Sequence, residues 1–159
     1  MLKRLISGGQ TGADRAGLIA AKAAGIPTGG WMPRGFLAED GRHPGFAAEY
    51  GVREHPSPRY PPRTEANVKE ADGTIRFATD WGSAGVKLTL KMIQRHRKPH
   101  IDICPARGPD PKEVARWIRA NGVGVLNVAG NSERKAPGIQ GYAVGFLREV
   151  FGILALERS

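Results

Sequence analysis

Residues 5–14 have the sequence Leu-Ile-Ser-Gly-Gly-Gln-Thr-Gly-Ala-Asp, and this stretch decides the fold. Two apolar residues, a turn with three glycines and an alanine-rich stretch predict a β-strand, a tight loop and the N-terminus of a helix. Glycine allows the backbone to approach a ligand closely. The unpaired N–H groups of a helix N-terminus favour an anion. The candidate residues of the resulting anion-binding loop are Gly8, Gly9, Gln10, Thr11 and Gly12.

This loop differs from two other phosphate-binding motifs. It lacks the G-x-G-x-x-G spacing of dinucleotide-binding proteins, and no Lys-Ser or Lys-Thr follows Gly12 as it does in a P-loop. A tight connection without a ligand therefore stays open as the alternative. Asp14 also has two interpretations. It closes a capping box if Thr11 is the N-cap, or its carboxylate contacts a sugar hydroxyl or a metal, since a carboxylate repels phosphate.

The composition is that of a soluble globular domain. With 159 residues, of which 40% are hydrophobic, the chain is long enough for one domain with its own core, expected over residues 1–159. We expect no transmembrane helix and no signal peptide. Cys104 is the only cysteine, which is typical of a cytoplasmic protein.

The net charge of +9 favours an anionic partner. Basic residues are spread along the chain, so a mixed solvated surface is the simpler interpretation. Nucleic acid ranks third among the hypotheses, because the sequence has no nucleic-acid-binding motif and no interleaved aromatic platform. His43 and His55 lie among carboxylates, but their spacing matches no metal motif, so no tightly bound metal is expected.

Apolar periodicity and turn signals predict strands that alternate with helices, which gives a parallel sheet with right-handed crossovers. We therefore expect an α/β fold: an open sheet of about five parallel strands with helices on both faces. Residues 34–62, rich in glycine and proline, are expected to form a long irregular loop with a short extra strand near 50–54. The expected strands are 3–7, 28–32, 74–78, 100–104 and 123–128, and the expected helices are 13–25, 63–71, one after Gly85, 111–120 and 139–156.

A second glycine-containing loop, residues 79–85, also connects a predicted strand to a predicted helix. Ligands of open α/β sheets bind at the carboxyl ends of the strands, so both loops are expected on two sides of one site. Ser83 and Gly85 are the candidate binding residues of this loop. Arg63 and Asn67 share one helical face, and the planar guanidinium of Arg63 can bind phosphate. An exposed pair is the alternative.

Several motifs follow one another over most of the chain. They are Ser7–Asp14, Gly29–Pro33, Ala38–Gly41, Arg63–Val68, Ser83–Gly85 with Thr89, Leu126–Gly130 and Pro137–Ile139. Together they resemble the molybdenum cofactor carrier family, which belongs to a Rossmann-like superfamily shared with the lysine-decarboxylase-like nucleotide phosphoribohydrolases. The resemblance implies that the α/β sheet is a three-layer Rossmann-like open sheet. It also implies frequent homo-oligomers and a phosphorylated or pterin-type anion held at the glycine loops.

The chain departs from that family pattern at several positions. The resemblance implies Thr at Val86, and it implies Arg and Ser where this chain has Ser132 and Arg134. A phosphate donor is therefore missing at Val86, and a contact from Arg134 would start from a shifted position. The phosphoribohydrolases carry a glutamate soon after their second glycine loop, whereas residues 87–90 are Lys-Leu-Thr-Leu. This difference argues against a simple transfer of their hydrolase chemistry.

We therefore expect a cytoplasmic binding or carrier protein for a phosphate-bearing small molecule, with molybdenum cofactor or a nucleotide as the leading ligand. The alternative is a nucleotide or phospho-sugar hydrolase in which Asp14 or Glu39 is the acid or base. Arg63 is expected to neutralise charge and Asn67 to orient a hydroxyl or phosphate. We also expect a homo-oligomer and no membrane association. The far side of the site is expected to be lined by Asn127 and Glu133.

Overall fold

The computed structural model describes residues 1–158, in which strands and helices alternate. In chain order the elements are β1 (Arg4–Ser7), α1 (Ala13–Ala23), β2 (Thr28–Gly29), β3 (Trp31–Met32), β4 (Leu37–Ala38), β5 (Gly41–Arg42), α2 (Phe46–Tyr50), β6 (Arg53–Glu54), α3 (Tyr60–Glu70), β7 (Gly73–Phe77), α4 (Ala84–Arg95), β8 (His100–Ile103), α5 (Pro111–Ala120), β9 (Val125–Gly130) and α6 (Ile139–Glu157).

Five strands form one parallel sheet in the order β2-β1-β9-β7-β8. The last of them in the sequence, β9, lies at the centre of the sheet and pairs with β1 on one side and β7 on the other. Asn127 of β9 is level with Ile6 and Thr74 of the two neighbouring strands. The chain runs outward from β1 to β2 on one side and from β7 to β8 on the other. The carboxyl ends of the strands around β9 are therefore the place where a sheet of this kind binds a ligand.

Helices cover both faces of the sheet, which confirms the expected three-layer Rossmann-like fold. Helices α1, α5 and α6 pack together on one face, and α3 and α4 pack together on the other. The sheet contributes buried apolar side chains to the core, among them Leu5, Ile75 and Leu126. Helix α1 lies close to the sheet because its inner residues are small. A Cβ on Gly17 would lie only 2.8 Å from the Cβ of Val128.

The expected second strand, residues 28–32, is interrupted at Gly30. This residue has a φ of +118°, and a Cβ there would overlap the carbonyl oxygen of Ser7. The two halves of the segment consequently belong to different sheets, because β2 pairs with β1 and β3 pairs with β6. The prediction of one continuous strand is wrong, since the chain turns at this glycine.

Residues 34–62 are more regular than the sequence indicates. The prediction of one irregular loop is wrong, because this segment contains the β4–β5 hairpin, the short helix α2 and strand β6. The expected extra strand near residues 50–54 corresponds to β6. Helix α3 begins at Tyr60, three residues before the expected start, because Pro61 and Pro62 suit the first turn of a helix.

Helix α6 is long and apolar. It has 19 residues and a mean hydropathy of 1.3 over its most apolar window, so its length and composition alone would suit a membrane span. Its inner face, which includes Ala143, Leu147 and Val150, is buried, and the helix packs against α1 and α5. A core helix of a globular domain has the same properties, so α6 gives no support for a membrane location. The cytoplasmic location stays a prediction.

Candidate functional site

A cleft of about 270 Å³ opens at the carboxyl edge of the sheet beside β9. Its walls come from the loops after β1 and β9 and from the N-terminal parts of α3 and α4, so both glycine-containing loops reach one site. Four of the candidate residues, namely Gly9, Thr11, Gly12 and Glu133, do not line it. The candidates that do are Gly8, Gln10, Asp14, Glu39, Arg63, Asn67, Ser83, Gly85 and Asn127.

The N–H groups of the first glycine loop are already used within the protein. Each backbone N–H from residue 9 to residue 13 donates a hydrogen bond of 2.9 to 3.4 Å to another protein atom. In chain order the acceptors are Ser7 Oγ, Asp14 Oδ2, Gln10 Oε1, Gln140 Oε1 and the carbonyl oxygen of Asn131. The N–H groups of residues 9–13 are therefore not free for a ligand, although these glycines give the strongest signal in the sequence.

Side chains of the first glycine loop connect it to the β4–β5 hairpin. Gln10 Oε1 accepts a hydrogen bond from Glu39 N over 2.8 Å. The Glu39 carboxylate accepts hydrogen bonds from Thr11 Oγ1 and, over 3.4 Å, from Arg134 N. Glu39 thus lines the cleft, but it also joins the hairpin to the first glycine loop and to the loop after β9.

Glu133 lies at the start of α6 rather than on the expected far side of the site. Its carboxylate accepts hydrogen bonds from Gly138 N over 2.6 Å and from Gln140 N over 3.0 Å. Gly138 is the N-cap of α6, and a carboxylate at this end of a helix also interacts favourably with the helix dipole. Glu133 therefore stabilises the N-terminus of α6.

The second glycine-containing loop leaves the first turn of α4 open. Ser83 is the N-cap, and the N–H groups of residues 84–86 have no acceptor within the helix. Ser83, Ala84 and Gly85 line the cleft. The positive end of the α4 dipole is therefore directed toward the cleft, together with these N–H groups.

Asn131 holds the second glycine-containing loop in place. Its Oδ1 accepts hydrogen bonds from Thr79 N over 2.9 Å and Asp80 N over 3.0 Å, and its Nδ2 donates to Ser83 Oγ over 3.0 Å. The residue is 2% exposed. The sequence did not single out Asn131, because locally it resembles the other polar residues of the loop 129–135.

Arg76 fixes the first turn of α4 against the sheet. This residue of β7 is buried, and its Nη1 donates to the carbonyl oxygen of Val86 over 3.0 Å. Its Nε and Nη2 donate to the Asp102 carboxylate over 2.8 and 2.6 Å. Val86, where the family resemblance implies a threonine, is itself buried. The α4 N-terminus is thus positioned by Arg76, a buried arginine that is paired with the partly exposed Asp102. The donors that this N-terminus offers a ligand are its backbone N–H groups.

Arg63 and Asp14 form a nearly buried pair in the cleft. Arg63 Nη1 lies 3.7 Å from Asp14 Oδ2, and the two side chains are 12% and 7% exposed. Arg63 Nε is buried and has no hydrogen-bond partner among residues 1–158. A Cβ on Gly8 would overlap Arg63 Nη1, so this glycine leaves room for the guanidinium. Arg63 is therefore a cation held inside the cleft, and not part of an exposed surface pair.

Asp14 does not form the capping box that the sequence left open. Helix α1 begins at Ala13 with Gly12 as its N-cap, and the Asp14 carboxylate accepts a hydrogen bond from Gln10 N over 3.4 Å. Burial raises the pKa of Asp14 above its ordinary value of 3.8, and the Arg63 guanidinium partly opposes this rise. The ionised carboxylate competes with an incoming anion for Arg63 and repels the anion. The charge of Asp14 therefore opposes anion binding.

Two buried asparagines of the cleft differ in what they offer a ligand. Asn67 Oδ1 accepts from Trp31 N over 2.9 Å, and its Nδ2 donates to the Trp31 carbonyl oxygen over 3.1 Å. Asn127 Nδ2 donates to Thr74 Oγ1 over 3.2 Å, while its Oδ1 accepts no hydrogen bond from residues 1–158. Asn127 can therefore accept a hydrogen bond from a ligand, whereas Asn67 uses both ends of its amide to hold β3 beside the cleft.

The cleft also contains residues that the sequence reasoning missed, among them Tyr60, Leu88 and Lys135. Tyr60 is the first residue of α3, and the proline pair that follows it was the available signal for the earlier helix start. Lys135 lies in the loop after β9, next to Arg134, the basic residue for which the family resemblance implies a contact from a shifted position. Lys135 lines the cleft and Arg134 does not.

Comparisons with known proteins agree with this fold. The family model described as Circularly permutated YpsA SLOG family matches residues 5–151. The chain is also similar to the crystal structure of the Putative molybdenum carrier protein from Syntrophus aciditrophicus SB. The two share 38% sequence identity over 94% of each chain, with a TM-score of 0.83. No curated protein matches the chain significantly.

Proposed function

The chain belongs to the Circularly permutated YpsA SLOG family, and from this premise we propose that it binds a phosphate-bearing small molecule in the cleft beside β9. The observation that carries the proposal is that the open N-terminus of α4 and the buried Arg63 line the same cleft. The leading ligands are molybdenum cofactor and a nucleotide, which both carry a phosphate group.

A phosphate group suits the charges of this cleft. The N–H groups of residues 84–86 and the α4 dipole favour a negative charge, and the Arg63 guanidinium matches the geometry of phosphate oxygens. Lys135 adds a further positive charge to the wall. The Asp14 and Glu39 carboxyl groups oppose the anion. Burial raises the pKa of Asp14 and so moves this carboxyl toward its neutral form, and the Glu39 carboxylate accepts hydrogen bonds from Thr11 and Arg134. The donors of α3 and α4 therefore favour an anion that binds between these two helices.

The similar protein from Syntrophus aciditrophicus SB supports a carrier role, because its name is Putative molybdenum carrier protein and it shares 38% identity with this chain. Among residues 1–158 no group of three or more His, Cys, Asp and Glu side chains could hold a metal ion. In our proposal the cofactor is held through its phosphate and pterin groups.

Thermal unfolding against a ligand panel tests this proposal. The panel contains mononucleotides, dinucleotides, nucleoside diphosphate sugars, molybdate and a molybdopterin preparation. A ligand that binds only the native protein, at a hundred times its Kd, stabilises it by about 2.7 kcal/mol, which raises Tm by several degrees for a chain of this length. A selective rise with a phosphate-bearing compound supports the proposal. No rise with any compound contradicts it.

An arginine variant shows whether the stabilisation comes from the cleft. Arg63→Met removes the guanidinium, and we expect it to reduce the rise in Tm by about half or more, since a hydrogen bond to a charged group contributes about 1.5–3 kcal/mol. Arg116→Met removes an exposed arginine of α5 and serves as the matched control. If both variants keep the full rise, the ligand binds elsewhere.

A hydrolase is the second candidate function, because Asp14 lines the cleft with a raised pKa. Such a carboxyl group is suited to act as a general acid. Glu39 also lines the cleft, although its carboxylate accepts hydrogen bonds from Thr11 and Arg134. Product analysis after overnight incubation with the stabilising ligand separates the two functions. Turnover that Asp14→Asn abolishes, with binding retained, would identify an enzyme; no turnover would leave a carrier.

We also propose that the protein forms a homo-oligomer and acts without a nucleic-acid partner. Light scattering after size-exclusion chromatography measures the first property. Nucleic-acid binding would show an affinity that falls steeply with salt and rises with polymer length. Equal and weak binding of a mononucleotide and an oligonucleotide would exclude it.

A further inference from the structure

Tyr60 is an exposed aromatic side chain on the wall of the cleft. It is 39% exposed, and the other exposed large hydrophobic residues among residues 1–158 are Met1 and Leu156. Those two lie near the ends of the chain, so Tyr60 is the one within the body of the described fold. An aromatic ring that is exposed in a cleft has apolar surface that a ligand can cover on binding.

The ring of Tyr60 is well positioned for such a contact. It belongs to the first residue of α3, whose first turn contains Pro61 and Pro62, so the backbone beneath it has little freedom. The Arg63 guanidinium lies 5.3 Å from the centre of the ring. The aromatic surface and the proposed phosphate-binding cation therefore lie within one helical turn of each other.

The rest of the cleft favours a small ligand with one apolar part. Tyr60 and Leu88 are its large apolar side chains, and they come from the adjacent helices α3 and α4. The remaining lining is polar, or consists of glycine and alanine. A volume of about 270 Å³ is just below the range of drug-sized pockets, which suits a mononucleotide-sized molecule better than a dinucleotide.

We propose that Tyr60 stacks on a planar aromatic ring of the ligand, so that the cleft selects ring-bearing phosphates, such as a mononucleotide or a pterin phosphate, over sugar phosphates. This inference rests on the proposed function, because it takes the phosphate to be bound at Arg63 and α4. Stacking of a base on an aromatic side chain raises affinity by roughly tenfold or more.

The test compares three probes by isothermal titration calorimetry: AMP, neopterin phosphate and ribose 5-phosphate. They are titrated into the unmodified protein, Tyr60→Ala, Tyr60→Phe and the control Leu156→Ala, which removes another exposed apolar side chain outside the cleft. We expect at least one ring-bearing phosphate to bind about tenfold tighter than ribose 5-phosphate. Tyr60→Ala should remove this advantage without weakening ribose 5-phosphate, and Tyr60→Phe and Leu156→Ala should keep it.

Two results would overturn the stacking role while leaving the proposed function intact. In the first, ribose 5-phosphate binds to the unmodified protein as tightly as both ring-bearing phosphates. In the second, Tyr60→Ala weakens all three probes equally, which would mean that Tyr60 only supports Arg63. If none of the three probes binds to the unmodified protein, the stacking role fails, and the proposed function fails with it only if no compound of the ligand panel raises Tm.

Discussion

The two glycine-containing loops of this chain occupy equivalent positions between a strand and a helix, but they have different roles in the structure. Both connect a strand to a helix, and both contribute residues to the same cleft. The N–H groups of residues 9–13 in the first loop all donate within the protein. The N–H groups of residues 84–86, after the second loop, have no acceptor within α4.

This difference shows that a glycine-rich turn can serve packing as well as ligand binding. Gly12 has a φ of +84°, and a Cβ there would overlap the carbonyl oxygen of Asn131. Gly85 has no atom within 4 Å of the corresponding Cβ position. The first loop is therefore a junction between β1, α1 and the loop after β9, whereas the second loop leaves room and donors for an anion.

The largest effect is expected from Gly12→Ala. The new Cβ meets the Asn131 carbonyl oxygen in a backbone conformation that favours glycine, so the free energy of unfolding should fall by about 3 kcal/mol or more. Gly85→Ala is the matched control in the other loop, and alanine in a helix should stabilise by up to about 1 kcal/mol. Urea denaturation measures both. Equal stability of the two variants would contradict the packing role of the first loop.

Ala84→Pro should weaken phosphate binding without weakening the fold. Proline is well accepted at the first position of a helix, and Ser83 before it already has an extended backbone with ψ 150°. The substitution removes one of the free N–H groups, so we expect the affinity for the stabilising phosphate compound to fall about tenfold or more. Ala84→Ser keeps the N–H group and is the control. Unchanged affinity in a folded Ala84→Pro variant would exclude this amide as a phosphate donor.

Glu133→Ala should reduce stability and leave ligand affinity unchanged. The carboxylate accepts hydrogen bonds from Gly138 N and Gln140 N at the start of α6, and its loss should cost about 1–2 kcal/mol in the free energy of unfolding. Glu133→Gln retains an acceptor oxygen and should cost less. Calorimetric titration with the same phosphate compound checks the affinity. A large loss of affinity would show that Glu133 contacts the ligand, as the sequence predicts.

A pH-dependent effect is expected at Asp14. Burial raises the pKa of its carboxyl above 3.8 in the folded protein, so the folded state binds this proton more tightly than the unfolded state does. The stability of the unmodified protein relative to Asp14→Asn should therefore fall as the pH rises from about 3.8 through the raised pKa. Tm values of both proteins between pH 4 and pH 8 measure this. A difference that is constant, or that changes in the opposite direction, would show that Arg63 outweighs burial.

The sequence predicts the layers of this fold well, because strands and helices leave local periodic patterns. It does not predict that β9 lies at the centre of the sheet, since strand order depends on pairing between distant segments. The break at Gly30 is missed for a similar reason: the close approach that demands a glycine involves Ser7, more than twenty residues earlier.

The candidate site is predicted in outline and missed in detail. Arg63, Ser83 and Gly85 line the cleft as residues near the ends of regular elements. Whether the N–H groups of the first loop are free for a ligand depends on Gln140 and Asn131. These two residues accept hydrogen bonds from Gly12 N and Ala13 N, although they lie more than a hundred residues later in the sequence. No local pattern reveals such long-range acceptors, so the glycines appear more available in the sequence than they are in the structure.

The most direct test of this difference between the loops is a ¹⁵N–¹H NMR titration of the protein with AMP, with adenosine at the same concentrations as the reference. The difference between the two titrations isolates the phosphate group. We expect the largest differences at the N–H groups of residues 84–86, and small ones at residues 9–13, whose N–H groups already have protein acceptors. Large differences at residues 9–13, with residues 84–86 unchanged, would contradict the assignment of the phosphate to α4.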